Sequence, residues 1–249
     1  MEHRDRLWPG GYTFLYDDGL FHPSTDTFLL GAFPRLRRGM TVCELGAGTG
    51  LLSLLLLARE PELTVTGVEL QPQACALFRR TAEENGLQGR MHCLEGDLRQ
   101  GLLPPGRFRL AVANPPYFPP GAGAVAPDAA RRTARAETDC TLAQLCAAAA
   151  RALTWGGSFC LVHRPDRLGV MLPDGDGFSL LEELRRVRLE PKRLRFVHHT
   201  AAARPSLFLL EARLGGGVGL TVEPPLLLHG PDGGETEDVR RAYFRDKEE

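Results

Sequence analysis

The sequence lacks the features that would place it in several large classes. No stretch approaches the ~20 apolar residues a helix needs to cross a bilayer. The most apolar one, Leu51–Ala58, is far shorter. Met1–Gly10 is polar and charged and carries no legible secretory leader, so a soluble, cytoplasmic protein with no membrane partner is expected. Positive charge is not in excess: 30 basic against 31 acidic residues leave a net charge of −1. That excludes a globally basic nucleic-acid binder but leaves room for a local basic patch. Lysine is nearly absent, arginine supplying 28 of the 30 basic residues, a bias to which no function attaches. The cysteines (Cys43, Cys75, Cys93, Cys140, Cys146 and Cys160) form no C-x-x-C pair. His92 beside Cys93 does not make a metal site, and none is expected. Cys43 and Cys160 fall inside predicted strands as small buried hydrophobes, and all six are read as reduced thiols.

What the chain does contain is an alternation. With 249 residues and 43% hydrophobic content it has material for one large domain with a sizeable core. Strands are predicted over Thr41–Leu45, Thr64–Leu70, Met91–Leu94, Phe108–Ala113, Ser158–His163 and Ser206–Arg213. Helices are predicted over Leu51–Arg59, Pro72–Asn85 and Thr141–Leu153. Pro72 stands in the first turn of the second helix and Asn85-Gly86 follows its end. Such alternation predicts an α/β fold with a doubly wound, mostly parallel seven-stranded sheet and a ligand site at the carboxyl ends of its strands. Residues 41–214 form the expected catalytic domain, with 1–40 an extension over the cofactor site and 215–249 a tail of the same globule. A loop over 119–136, rich in Pro, Gly and Ala, is placed to act as a lid or substrate clamp.

Two motifs sit at strand ends. The first, Glu44-Leu45-Gly46-Ala47-Gly48-Thr49-Gly50, is a glycine turn of the form G-x-G-x-G. It lacks the third-glycine spacing of a dinucleotide fingerprint and the Lys-Ser/Thr of a P-loop. Its leading acid, Glu44, disfavours a pyrophosphate and suits a ligand carrying an ammonium and a sulfonium, so charge points to S-adenosylmethionine. Glu69, ending the second strand, can accept from both ribose hydroxyls. Asp97, after the third, can accept from an adenine amino group. Leu70 and Leu98 beside these acids, and Asn114 at the end of the fourth strand, also belong to the expected cofactor set. The second motif, Asn114-Pro115-Pro116-Tyr117, follows the fourth strand. An amine conjugated to a ring or carbonyl has a delocalised lone pair. Two acceptors on its hydrogens, the Asn114 side-chain oxygen and the Pro115 carbonyl, can draw the nitrogen toward tetrahedral geometry. Pro115 and Pro116 stiffen the turn, and Tyr117 offers a stacking face to a planar substrate.

This pairing resembles the S-adenosylmethionine-dependent class I (Rossmann-like) methyltransferases that act on exocyclic or amide nitrogen. Over nearly its whole length the chain is similar to the bacterial tRNA adenine N6-methyltransferases that modify the adenine beside the anticodon of a valine tRNA. The resemblance also rests on Thr25-Asp26 with Leu29-Leu30, Ala134-Arg135-Ala136-Glu137, His163–Leu168, Glu190–His198 and Pro224-Pro225-Leu226. Ala136 departs from the family, which has His there, and Trp8–Tyr12 is unusually rich in Gly and Pro. The resemblance implies a tRNA substrate, S-adenosylmethionine as cofactor and no obligate protein partner. It also implies that Thr25 and Asp26 close over the cofactor's amino-acid end. Ribosomal RNA guanine N2-methyltransferases and release-factor glutamine N5-methyltransferases share the Asn-Pro-Pro-Tyr turn, and a silent RNA-binding relative is a further alternative. Independently of resemblance, Leu181–Arg204 holds seven basic residues against three acids, as a phosphate-contacting patch requires. Arg135, His163, Arg164, Arg167, Arg185, Lys192, Arg193 and Arg195 are the expected RNA contacts.

Overall fold

The computed structural model describes residues 1–20, 22–115, 140–169 and 179–247. Its centre is a nine-stranded sheet: β3 (Thr41–Leu45), β4 (Thr64–Glu69), β5 (Met91–Glu95), β6 (Phe108–Ala113), β7 (Leu153–His163), β8 (Leu189–His198), β9 (Pro205–Leu214) and the two-residue β10 (Thr221–Val222) and β11 (Leu226–Leu227). The seven long strands run in the order β8-β9-β7-β6-β3-β4-β5, and the two short ones both pair with β8. Pairing is parallel from β5 through β7 and antiparallel where β9 enters between β7 and β8. A separate antiparallel hairpin, β1 (Glu2–Arg6) with β2 (Thr13–Asp17), precedes the sheet.

The order fixes the ligand end. From β3 the chain steps outward to β4 and β5, then returns to the other side of β3 as β6. Strand order therefore reverses between β3 and β6, where a crevice opens beyond the carboxyl ends of open α/β sheets. The glycine turn leaves β3 there, and Asn114 leaves β6 beside it.

Strand alternation splits the core in two. Val42, Leu110, Val112 and Val162 face one layer of apolar side chains, and Cys43, Leu45, Ala111, Ala113 and Leu161 face the other. The first layer is filled by α1 (Thr25–Ala32), α2 (Leu51–Arg59) and α3 (Pro72–Glu84), the second by α4 (Leu142–Ala152) and α6 (Leu180–Arg186). Leu51–Ala58, the most apolar stretch, is buried at every position because α2 has neighbours all round. Each buried leucine contributes about 1.5–3 kcal/mol, which makes α2 the rigid floor under the glycine turn. Asn85 caps α3 and clamps the hairpin to it: its Oδ1 accepts from the Thr13 N–H at 2.8 Å and its Nδ2 donates to the Thr13 carbonyl at 2.7 Å.

One expected boundary moves and one strand is added. The fifth long strand begins at Leu153, not Ser158, because Trp155-Gly156-Gly157 is absorbed in a register shift opposite Phe108–Leu110, with Gly156 at φ 78°. Arginine-rich Leu189–His198, outside the predicted elements, is one strand paired to β9.

Candidate active site

Three glycines make the turn after β3, and they do different work. Gly46, Gly48 and Gly50 have φ of 74°, 54° and 84°, a region L side chains rarely adopt. The Gly46 and Ala47 N–H groups both donate to the Val68 carbonyl at 3.0 Å, tying the turn to β4. A Cβ at Gly46 or Gly48 meets no atom within 4 Å, whereas one at Gly50 lies 2.5 Å from the Phe78 ring and 2.7 Å from the Met91 methyl. Gly50 packs the helix against the sheet. Gly46 and Gly48 face open space, the cradle a nucleoside cofactor requires.

Glu69 stands over that cradle. Its carboxylate accepts from the Gly48 N–H and the Gln71 N–H, each at 2.8 Å, and the residue is 7% exposed. A carboxylate offers about four acceptor sites, so two remain for hydroxyl groups. Leu70 beside it is an exposed apolar surface on the same strand end. Asp97 caps the short 3-10 turn Leu98–Gln100, accepting from the Arg99 N–H at 2.9 Å. The Arg99 guanidinium also grips it, and these bonds hold its carboxyl below the usual range.

Glu44 lies elsewhere than the charge argument placed it. It is 4% exposed, with its Oε2 accepting from the Ser53 N–H at 3.0 Å and the Ser53 hydroxyl at 2.5 Å. Burial raises its pKa to about 8 against the pull of those bonds. Near neutral pH it holds its proton and joins β3 to α2, so the acid side chain that bonds the turn itself is Glu69. Strand periodicity carried the signal: Glu44 shares the face of Val42, which α2 covers.

The second motif meets α1. The Asn114 Nδ2 donates to the Thr27 Oγ1 at 2.9 Å, and Thr27, 5% exposed, lies 3.2 Å from the Ser24 hydroxyl. Thr25 and Asp26 open the same helix, and the Tyr243 hydroxyl donates to the Thr25 Oγ1 at 3.0 Å. Pro115 follows Asn114 at the strand end. Pro116, Tyr117, Arg135 and the loop 119–136 lie outside the described residues. Among the described residues no group of three or more His, Cys, Asp and Glu could hold a metal ion, and no helix is long and apolar enough to cross a membrane.

The basic residues expected on RNA divide sharply. His163 ends β7 at the crevice but is 1% exposed. Its Nδ1 accepts from the Arg164 N–H at 2.8 Å, and burial, aided by Arg167 and Arg164, lowers its pKa to about 3. It is a neutral structural imidazole. Arg164, half-exposed, and Arg167, in the single-turn α5 (Asp166–Gly169), stand at the ligand end. Arg193 bridges Glu211 at 2.6 Å and Glu223 at 2.7 Å, with its guanidinium 4.3 Å from the Phe33 ring centroid. Arg195 pairs with Asp238 at 2.5 Å, Arg185 with Glu190 at 3.3 Å, and the Lys192 ammonium donates to the Gly217 and Gly219 carbonyls. Because β8 runs parallel to β6, its start lies away from the crevice. Arg185, before that start, therefore sits toward the opposite end of the sheet from Asn114, whereas Lys192 and Arg193 lie at mid-strand, Arg193 level with Val112.

Comparison with known proteins agrees with this fold. A predicted O-methyltransferase of Agrobacterium tumefaciens superposes with a TM-score of 0.67 over 88% of this chain and 96% of its own at 20% identity, which shows a shared class I methyltransferase fold. A geranyl diphosphate methyltransferase solved with S-adenosylmethionine gives a TM-score of 0.53 over 75% of this chain and 83% of its own at 16% identity. In sequence the chain is 32% identical over 169 residues, 65% of its length and 66% of the relative's, to the tRNA1(Val) (adenine(37)-N6)-methyltransferase of Yersinia enterocolitica. The same enzyme of Yersinia pestis is 33% identical over 168 residues, with the same coverage. This chain thus spans just under two thirds of the length of those relatives. The model of the methyltransferase small domain matches residues 14–170, a stretch that takes in α1, the glycine turn, Glu69 and Asn114, and the chain belongs to that family.

Proposed function

We propose that the protein methylates the exocyclic N6 amine of adenine in tRNA, with S-adenosylmethionine as donor, at the adenine 3′ of the anticodon of a valine tRNA. The observation that carries this reading is that Asn114 and the glycine turn leave adjacent strands, β6 and β3, where the strand order reverses. The Yersinia relatives supply the substrate class.

The cradle fits the cofactor on its own geometry. Gly46 and Gly48 leave space where any Cβ would intrude on a ligand. Glu69 keeps acceptor capacity for ribose hydroxyls, Leu70 gives an apolar lip, and Asp97 with Leu98 stands at the adjacent strand end. Thr25 and Asp26 reach the amino-acid end from α1. Bound there, S-adenosylmethionine supplies an electrophilic methyl group on a sulfonium, a good leaving group. The residues of this chain prepare the nucleophile. The Asn114 Oδ1 and the Pro115 carbonyl accept the two amine hydrogens, turning the lone pair out of the ring plane and fixing the nitrogen for in-line attack. Tyr117 stacks the extruded base, while Arg164 and Arg167 hold phosphates beside the crevice.

The test is methyl transfer from radiolabelled S-adenosylmethionine into total tRNA of a strain lacking the endogenous enzyme, followed by nucleoside analysis. Label in N6-methyladenosine is expected. Label in N2-methylguanosine keeps the mechanism and replaces the substrate. An unlabelled tRNA pool overturns the reading and moves the search to ribosomal RNA and release factors.

A further inference from the structure

Resting on the reading of Asn114 as the residue that orients the amine, we infer that Thr27 is a positioning residue for the methyl-transfer step. It fixes which atom of the Asn114 amide faces the substrate. An asparagine amide carries a donor nitrogen and an acceptor oxygen on one flat group, and rotation by half a turn exchanges them. Only the oxygen can accept from an amine; the reversed amide would present N–H to N–H. The fold has to select one rotamer.

Thr27 makes that selection. Its Oγ1 accepts from the Asn114 Nδ2 at 2.9 Å, which turns the Oδ1 to the opposite side. A threonine hydroxyl is itself ambiguous, able to donate or accept. The Ser24 hydroxyl, at 3.2 Å, can accept the Thr27 proton, which leaves a Thr27 lone pair for Asn114. On this inference the hydrogen-bond polarity runs from Asn114 to Thr27 and on to Ser24. Thr27 is 5% exposed, so water does not compete freely for the bond.

The helix carrying Thr27 is held from the far end of the sequence. Tyr243 stacks on Phe28 with ring centroids 4.3 Å apart and planes inclined by 8°, and its hydroxyl donates to the Thr25 Oγ1. Just beyond it, Phe244 is 2% exposed, with the Arg59 guanidinium 4.3 Å from its ring centroid. Arg59 also donates to the Ala242 carbonyl at 2.8 Å. The tail therefore clasps α1 to α2, the helix that floors the cofactor turn. Asn114, at the end of β6, is referenced to the cofactor side of the site through Thr27 and this clasp.

Purified full-length protein would be assayed with unmodified tRNA transcript as Thr27→Val, Thr27→Ser and Asn114→Ala. S-adenosylmethionine affinity would be read by calorimetry and the Asn114 side-chain amide by NMR. Valine keeps the branched shape and removes the acceptor. Expected for Thr27→Val are a kcat lower by about tenfold, unchanged KM for tRNA, unchanged cofactor affinity, and a shifted, faster-exchanging Asn114 amide. Serine restores the hydroxyl and should return kcat to within about twofold of wild type. Wild-type kcat in Thr27→Val overturns the inference while leaving the catalytic reading intact, provided Asn114→Ala is inactive. A serine variant as slow as valine also overturns it, because packing and not the hydroxyl is then at work. If valine proves too unstable to assay, the serine variant and the wild-type amide resonance decide: an Asn114 amide exchanging as fast as a solvated one refutes the bond. An active Asn114→Ala would instead sink the catalytic reading on which the inference rests.

Discussion

The two halves of the central sheet treat their polar residues in opposite ways. From β3 to β6, acids and amides at strand ends remain at the crevice: Glu69 over the glycine turn, Asn114 against α1. From β7 to β11, most of the basic residues are taken up by partners within the fold, Arg193 by Glu211 and Glu223 and Arg195 by Asp238. A position relative to the topology is thus a firmer guide to function than a local count of charge. A residue ending a parallel strand is delivered to the ligand end whatever surrounds it. An arginine on a strand face goes where its carboxylate is.

The largest effect should come from the crevice half. Asn114→Ala is expected to lower turnover by about 1,000-fold, in the range of removing a preorganised transition-state contact, while calorimetry shows S-adenosylmethionine binding intact. Retention of more than a few per cent of activity would place the amine's acceptor elsewhere and remove the contrast between the halves. Next stands Arg193→Ala. It strands two carboxylates on a face where the guanidinium is 13% exposed, and losing one partner of such a pair costs about 3 kcal/mol. Thermal melting should fall by about 6–12 °C, and tRNA affinity of the folded fraction should be unchanged. The reverse pattern, normal melting with weakened tRNA binding, would make Arg193 an RNA ligand after all.

How far these roles could be read from sequence depends on where the partner lies. The parallel order, the glycine turn, Glu69 and Asn114 follow from apolar runs and the residues that end them, all local signals. Thr27 lies 87 residues from Asn114, and Tyr243 lies 218 from Thr25, so no periodicity links either pair. Glu223 is 30 residues and Asp238 is 43 residues from the arginines they neutralise. The patch counted over Leu181–Arg204 therefore looked positive only because its acids are elsewhere in the chain. Glu44 was misplaced for a nearer reason: its type suggested the open side of the turn, while its alternation in β3 put it under α2.

Glu44 gives the third test, within the crevice half itself. Its folded pKa of about 8 exceeds the ordinary 4.5, so between these values the folded chain holds a proton that the unfolded chain releases. Stability must then fall as pH rises through this window, by up to about 1.4 kcal/mol per pH unit. Urea unfolding at pH 6, 7 and 8 should show the decline, and Glu44→Gln should flatten it. An unchanged slope in the variant would return Glu44 to an ionised state at the turn, as a direct partner for a cationic ligand.

The smallest effects separate the two ends of the basic half. Arg164 is 46% exposed at the crevice end of β7, and Arg185 is 63% exposed near the start of β8, at the other end. Neither should matter to stability by more than about 0.5 kcal/mol, since exposed ion pairs contribute little. Their consequences for tRNA should differ. Loss of one phosphate contact weakens binding modestly and reduces the salt dependence by about one counterion. Arg164→Ala should therefore raise the KM for tRNA by about fivefold and flatten its dependence on salt, whereas Arg185→Ala should leave both unchanged. Equal effects at the two positions would mean that tRNA wraps the full height of the sheet edge, and that the paired arginines of β8 exchange their carboxylates for phosphates when it does.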